Sequence, residues 1–278
     1  MKTLLSLGHG YSARALGRRL LAQGWRVIGT TRTAEGARAL AAEGVEARIW
    51  PGEDLPFAEA THLLSSIAPG PAGDPVLAAH RDAIAAARFD WVGYLSTVGV
   101  YGDHGGDWVD EETPLTPATA RGRARVAAEA EWQAIPGLAP HIFRLAGIYG
   151  PGRGPFQKVI DGTARRIVKP GQVFSRIHVA DIAAVLEASI AQPNPGRVYN
   201  VCDDEPAPPE DVLGYAAELL GLPVPPEVAY DEAAMSPMAR SFYAESKRVS
   251  NARIKAELGV RLLYPDYRAG LSALAQEG

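Results

Sequence analysis

Thr3-Leu4-Leu5-Ser6-Leu7-Gly8-His9-Gly10-Tyr11-Ser12-Ala13 is the stretch that decides the fold. Its short apolar run reads as a buried strand, and the residues from Ala13 to Gln23 read as a helix ended by Gly24. Between them lies Gly-x-Gly-x-x-Ala. Gly8 allows a tight turn, Gly10 lets a pyrophosphate approach the backbone, and Ala13 lets helix and strand pack closely. The free N–H groups and positive end of the helix then favour phosphate, so the loop reads as a dinucleotide site rather than a plain turn.

Working outward, Trp25–Thr30 reads as a second strand, followed by an Ala-rich helix up to Gly44 and a third strand at Val45–Trp50. Further strands are expected at His62–Ile67, Trp91–Ser96, His141–Leu145 and Arg197–Val201. Between them, Asp74 caps a helix with Pro75 at its first position, Pro117–Ile135 is a long helix and Ala180–Gln192 another. Strands alternating with helices at this spacing predict an α/β fold with a doubly wound, Rossmann-type parallel sheet. After Gly150 the texture turns irregular, with Pro151–Pro155, Pro193–Gly196 and Pro206–Pro209 as breaks. The expected division is a dinucleotide-binding domain of residues 1–150 and 178–202, and a smaller C-terminal α/β substrate domain of residues 151–177 and 203–278.

The tip of the second strand reads Thr30-Thr31-Arg32. An acidic residue there would hold the ribose 2′-hydroxyl of NAD, whereas Arg suits a 2′-phosphate, so NADP is expected and NAD is the less favoured cofactor. The candidate cofactor contacts are Gly8, Gly10, Tyr11, Ser12, Thr31, Arg32, Ser65, Ser66 and Ile148.

The 278-residue chain is 47% apolar and 22% charged, with a formal net charge of −4. This balance suits a globular protein and gives no reason to expect nucleic acid or an anionic membrane as partner. Cys202 is the single cysteine, which excludes an internal disulfide and two-cysteine metal sites; no metal ligand set is expected. The N-terminal apolar run is broken by Gly8-His9-Gly10, short of a signal peptide, and no stretch is long enough to span a bilayer. A cytoplasmic location is expected.

Leu95-Ser96-Thr97-Val98-Gly99-Val100-Tyr101-Gly102 resembles the segment of extended short-chain dehydrogenases/reductases that carries a catalytic Ser or Thr ahead of Val-Tyr-Gly. Glu112 and Pro114, Arg144–Gly152, Ile177-His178-Val179-Ala180-Asp181-Ile182 and Tyr199-Asn200-Val201 match further along, in the right order. The resemblance implies an NAD-dependent epimerase/dehydratase-like protein acting on a small carbonyl or sugar-like substrate. It puts the hydroxyl role on Thr97. It also suggests a homodimer through paired helices, although the Ala-rich Arg121–Ala130 stretch could equally face inward.

The chain departs from that pattern at its centre. The family's Tyr-x-x-x-Lys helix here reads Arg121-Gly122-Arg123-Ala124-Arg125, which places Arg121 at the Tyr position and Arg125 at the Lys position. A guanidinium does not give up its proton near neutral pH, so Arg121 is no general acid; it could bind an anionic group or polarise a carbonyl. Arg125 could bind ribose hydroxyls. Tyr101, Tyr149, His104 and His178 are candidate replacement acids. Nucleotide-sugar members often carry an Arg where this chain has Phe174, and Arg176 lies on the same face of its strand. Two readings stay open: an atypical NADP-dependent oxidoreductase or epimerase using Thr97, Arg121 and Arg125, and a noncatalytic NADP-binding redox sensor.

Overall fold

A computed structural model describes residues 1–277. The chain runs β1 (Thr3–Leu7), α1 (Tyr11–Ala22), β2 (Arg26–Thr31), α2 (Ala34–Ala42), β3 (Glu46–Ile49), β4 (His62–Ser65), α3 (Pro75–Ala86) and β5 (Trp91–Thr97). It continues through β6 (Trp108–Val109), α4 (Ala120–Gln133), β7 (His141–Leu145), β8 (Gly147–Tyr149), α5 (Phe156–Ile160), β9 (Arg166–Val168) and β10 (Arg176–His178). The remainder is α6 (Val179–Ala191), β11 (Val198–Val201), α7 (Pro209–Leu219), β12 (Glu227–Ala229), α8 (Pro237–Phe242), β13 (Arg248–Val249), α9 (Ala252–Leu258) and α10 (Tyr267–Glu277).

Seven strands form one parallel sheet in the order β11-β7-β5-β4-β1-β2-β3. The winding reverses between β1 and β4, and a ligand crevice opens outside the strand C-termini at such a switch point. Each strand serves two cores because its side chains alternate. Leu4, Val27, Leu64 and Phe143 pack on one face with Leu16 of α1 and Leu186 of α6. Their neighbours Leu5, Ile28, Leu63 and Ile142 pack on the other face with Ile84 of α3 and Trp132 of α4. A third cluster joins Tyr149 to Val159, Val212, Ala216, Tyr267 and Leu271 from α5, α7 and α10.

Side-chain capping sets the helix starts. Asp74 Oδ1 accepts the N–H groups of Val76 and Leu77, while Oδ2 accepts Trp132 Nε1–H, tying α3 to α4. Thr119 Oγ1 accepts the N–H of Gly122, so α4 begins at Ala120 rather than at Pro117. α1 begins at Tyr11, two residues earlier than the apolar pattern indicates. The fourth strand ends at Ser65 rather than Ile67. Three short parallel ladders, β8/β10, β9/β12 and β6/β13, form separate two-stranded sheets; two- and three-residue strands leave no periodicity to read.

Candidate functional site

The glycine loop is held from both sides. Gly8 N–H donates to Thr30 Oγ1 at 2.7 Å, and Ser66 Oγ donates to the carbonyl oxygens of Gly8, at 2.5 Å, and Leu7, at 3.1 Å. Gly8 sits at φ +76°, and a Cβ there would lie 2.7 Å from Ile67 Cγ1. The ring of His9 fills a slot made by two other glycines: a Cβ on Gly17 or Gly29 would lie 2.7 or 2.8 Å from it. Burial there pushes His9 down to about 4. Gly10 is the N-cap residue of α1 and provides no side-chain cap, and the first turn carries no acidic residue. The opening N–H groups of α1 are therefore left for a ligand.

That helix end faces a cleft of about 790 Å³ lined by Gly8, Gly10, Tyr11, Ser12 and Ser66 on one side. Thr97, Arg121, Arg125 and Ile148 line it too, so the structure brings most of the predicted site residues together. Three predicted cofactor contacts lie outside the lining. Ser65 is fully buried beneath it, and Thr31 and Arg32 stand at the tip of β2, with Arg32 exposed. Tyr11 Oη donates to Pro151 O at 3.0 Å and its ring lies under Arg153, also a lining residue, with the guanidinium carbon 5.6 Å from the ring centroid.

Thr97 Oγ1 accepts the N–H of Gly99 at 3.2 Å, which leaves its own proton uncommitted. Arg125 Nη1 donates to Tyr94 Oη and Leu95 O, both at 2.8 Å, so the guanidinium is drawn in toward the strand ends. Arg121 is exposed and stacks on Phe242 of α8 at 4.7 Å. It makes no ion pair among the described residues.

The four candidate replacement acids fare differently. Tyr101 is fully buried and away from the cleft lining; it donates to Asn200 Oδ1 and accepts from Arg144 Nη1, and burial pushes its hydroxyl up to about 12. His104 Nε2 meets the carbonyl of Tyr101 at 3.1 Å, again outside the lining. His178 caps α6 by accepting the N–H of Ala180, and burial pushes it down to about 4. Tyr149 does line the cleft, but its hydroxyl donates to Asp266 O at 3.3 Å, and burial raises its pKa.

The residues between α8 and β13 supply what sequence reading left undivided. Glu245 and Lys247 line the cleft as a buried ion pair 2.8 Å apart. Lys247 Nζ also donates to Gly102 O at 2.6 Å, and Glu245 Oε1 has no partner. The signal was one Lys and one Glu two positions apart just before a two-residue strand, which no periodicity singles out. No group of His, Cys, Asp and Glu among the described residues could hold a metal ion. No described helix is long and apolar enough to cross a membrane.

Comparison with known proteins agrees with this frame. The model of the NAD dependent epimerase/dehydratase family matches residues 76–202. The chain is 30% identical to protein YeeZ of Escherichia coli K12, covering 96% of this chain and 97% of that one. A functionally unknown conserved protein from Silicibacter pomeroyi is 65% identical and superposes with a TM-score of 0.97 over 100% of this chain and 99% of the other. A human epimerase family protein, solved with NADPH, shares the fold at 19% identity, with a TM-score of 0.78 over 99% of both chains.

Proposed function

The chain belongs to the NAD dependent epimerase/dehydratase family, and from that premise we propose that it binds NADP and acts as an oxidoreductase or epimerase on a small carbonyl compound. The observation that carries the reading is the uncapped start of α1 at Gly10, opening onto the cleft at the β1/β4 switch point. When bound, the nicotinamide supplies hydride chemistry. The chain's own residues bind, orient and move the proton.

In this reading Gly8, Gly10, Tyr11, Ser12 and Ser66 form the pyrophosphate side of the site, and Ile148 lines the nicotinamide side. Arg32, exposed beside Thr31, takes the 2′-phosphate. Thr97 directs its free hydroxyl proton at the substrate oxygen, and Arg125 holds the ribose edge. Arg121 stands in the Tyr position of the family helix and binds rather than protonates. Lys247 has one of its three N–H groups uncommitted and can donate it to the substrate. Residues 151–177 and 203–278 form the substrate unit.

Calorimetric titration with NADPH, NADP, NADH and NAD tests the reading, repeated on Arg32→Ala and Gly10→Glu. Tighter binding of the phosphorylated pair, lost with either substitution, supports it; no dinucleotide binding in the wild type sinks it. The absence of any tyrosine from α4 favours a second reading, a noncatalytic NADP-dependent redox sensor. Redox-dependent partner capture without turnover on any carbonyl compound would select that one.

A further inference from the structure

The end of the cleft away from the glycine loop carries more positive charge than the dinucleotide needs. Arg121 and Arg176 both line it, and neither forms an ion pair among the described residues. Arg121 meets only the Phe242 ring, and Arg176 Nη1 donates to two backbone carbonyls, those of Phe174 at 2.8 Å and Ala207 at 3.0 Å. The carboxylate acting most on Arg176 is Asp203, which is 1% exposed and has no hydrogen-bond partner on either oxygen. Burial pushes the Asp203 carboxyl up, and neither of its oxygens bonds the guanidinium. In a chain of net charge −4, Arg121, Arg125, Arg153, Arg176 and Lys247 line a cleft whose acidic lining residue is Glu245.

The same end is aromatic. Phe242 lies under Arg121, its neighbour Tyr243 meets Phe174 edge to face at 5.6 Å, and Phe174 accepts from Arg176. Arg121 thus meets a ring directly, while Arg176 reaches the Phe174–Tyr243 pair only through the backbone carbonyl of Phe174. An apolar body would bury against these rings. A guanidinium stacked on a ring keeps its plane fixed and its N–H edge free, the geometry that meets a carboxylate through two parallel bonds.

We propose that the substrate is a small carbonyl compound with a carboxylate on an aromatic or apolar body, the carboxylate held by Arg121 and the field of Arg176. This rests on the dinucleotide reading above, because Thr97 and Arg121 are the groups that would flank the reacting carbonyl. It replaces a lost acid with an anchor: the position that would deliver a proton instead fixes the end of the substrate.

The test is calorimetry on the full chain, alone and saturated with NADP, using phenylpyruvate, its methyl ester and inorganic phosphate as probes. The acid should bind the NADP-loaded protein at least tenfold more tightly than the ester or phosphate. Arg121→Gln should remove that preference. Arg123→Gln should keep it, since Arg123 donates to Ala118 O on the exposed side and lies outside the cleft. Equal affinity for acid and ester overturns the proposal, as does a preference that survives Arg121→Gln. Phosphate binding as tightly as the acid overturns the carboxylate assignment. Acid selectivity in a protein that binds no dinucleotide would sustain the anion site and sink the NADP reading. A protein that binds NADP but none of the probes sinks the proposal and leaves that reading standing.

Discussion

Gly8 and Gly10 stand two residues apart and are glycine for different reasons. Gly8 is held by the fold: its φ of +76° and the 2.7 Å approach of Ile67 leave no room for a side chain. Gly10 has ordinary backbone angles, and a Cβ there would meet nothing nearer than Gly8 O at 3.8 Å. The fold alone does not require its bareness. Gly8→Ala should therefore cost about 1–3 kcal/mol in a denaturant melt, whereas Gly10→Glu should melt like the wild type and bind no dinucleotide. An unstable Gly10→Glu, or one that still binds NADPH, would show the loop has been misread. At the β2 tip, Arg32→Ala should weaken NADPH roughly 10- to 100-fold with little change for NADH, the scale of a charge-assisted phosphate contact. Equal losses for both dinucleotides would place the 2′-phosphate elsewhere. The loop spacing was legible because backbone geometry and phosphate approach both demand small residues at fixed offsets. His9 was not legible, since its slot is cut by Gly17 and Gly29 from two other elements.

Among the elements, α4 carries two different jobs on adjacent turns. Arg121 and Arg125 face the cleft, while Glu129 one turn on is buried and pairs with Arg144 of β7 at 2.8 Å. Glu129 also accepts from Ser96 of β5, and Arg144 donates to Tyr101 Oη at 2.9 Å, so one polar network stitches helix to sheet beneath Thr97. Both charged side chains are at most 6% exposed. Removing one partner strands the other, and Arg144→Met should lower stability by about 3–5 kcal/mol, read by chemical denaturation. Adding Glu129→Gln should restore part of that loss. A single-variant loss under about 1 kcal/mol would mean the pair contributes little beyond packing. Spacing along the helix would pair Glu129 with Arg125 four residues back, yet it pairs with Arg144. Which neighbour a buried carboxylate meets depends on how the helix lies on the sheet.

Across the whole molecule, buried titratable groups give stability a two-sided pH dependence. Burial holds His9, His62 and His178 at about 4 against an ordinary 6.5. The unfolded chain binds more protons than the fold between those values, so stability is full above pH 6.5 and falls as pH drops toward 4, by on the order of 3 kcal/mol per histidine at most. Asp203 works the other way. Its folded value of about 8 lies above the ordinary 3.8, so its share of stability is present below pH 4 and lost as pH rises through 8. Asp203→Asn should then gain in melting temperature relative to the wild type as pH is raised from 4 to 8. A difference that stays flat, or shrinks with pH, would show that Asp203 is already ionised in the fold.

By itself the sequence determined the βα alternation, the parallel doubly wound sheet and the glycine-rich turn between β1 and α1. Each of these is written locally, in apolar period, capping residues and glycine spacing, and each is enforced by burial on both faces of one sheet. The make-up of the far end of the cleft was decided only in three dimensions. Arg121, Arg176, Phe242 and Lys247 come from α4, β10, α8 and the approach to β13, and they meet because ladders of two or three residues, β6/β13 and β8/β10, bring distant segments into register. Strands that short carry no repeat of their own; their pairing is selected by the packing around them, and the chemistry of the cleft follows from that packing.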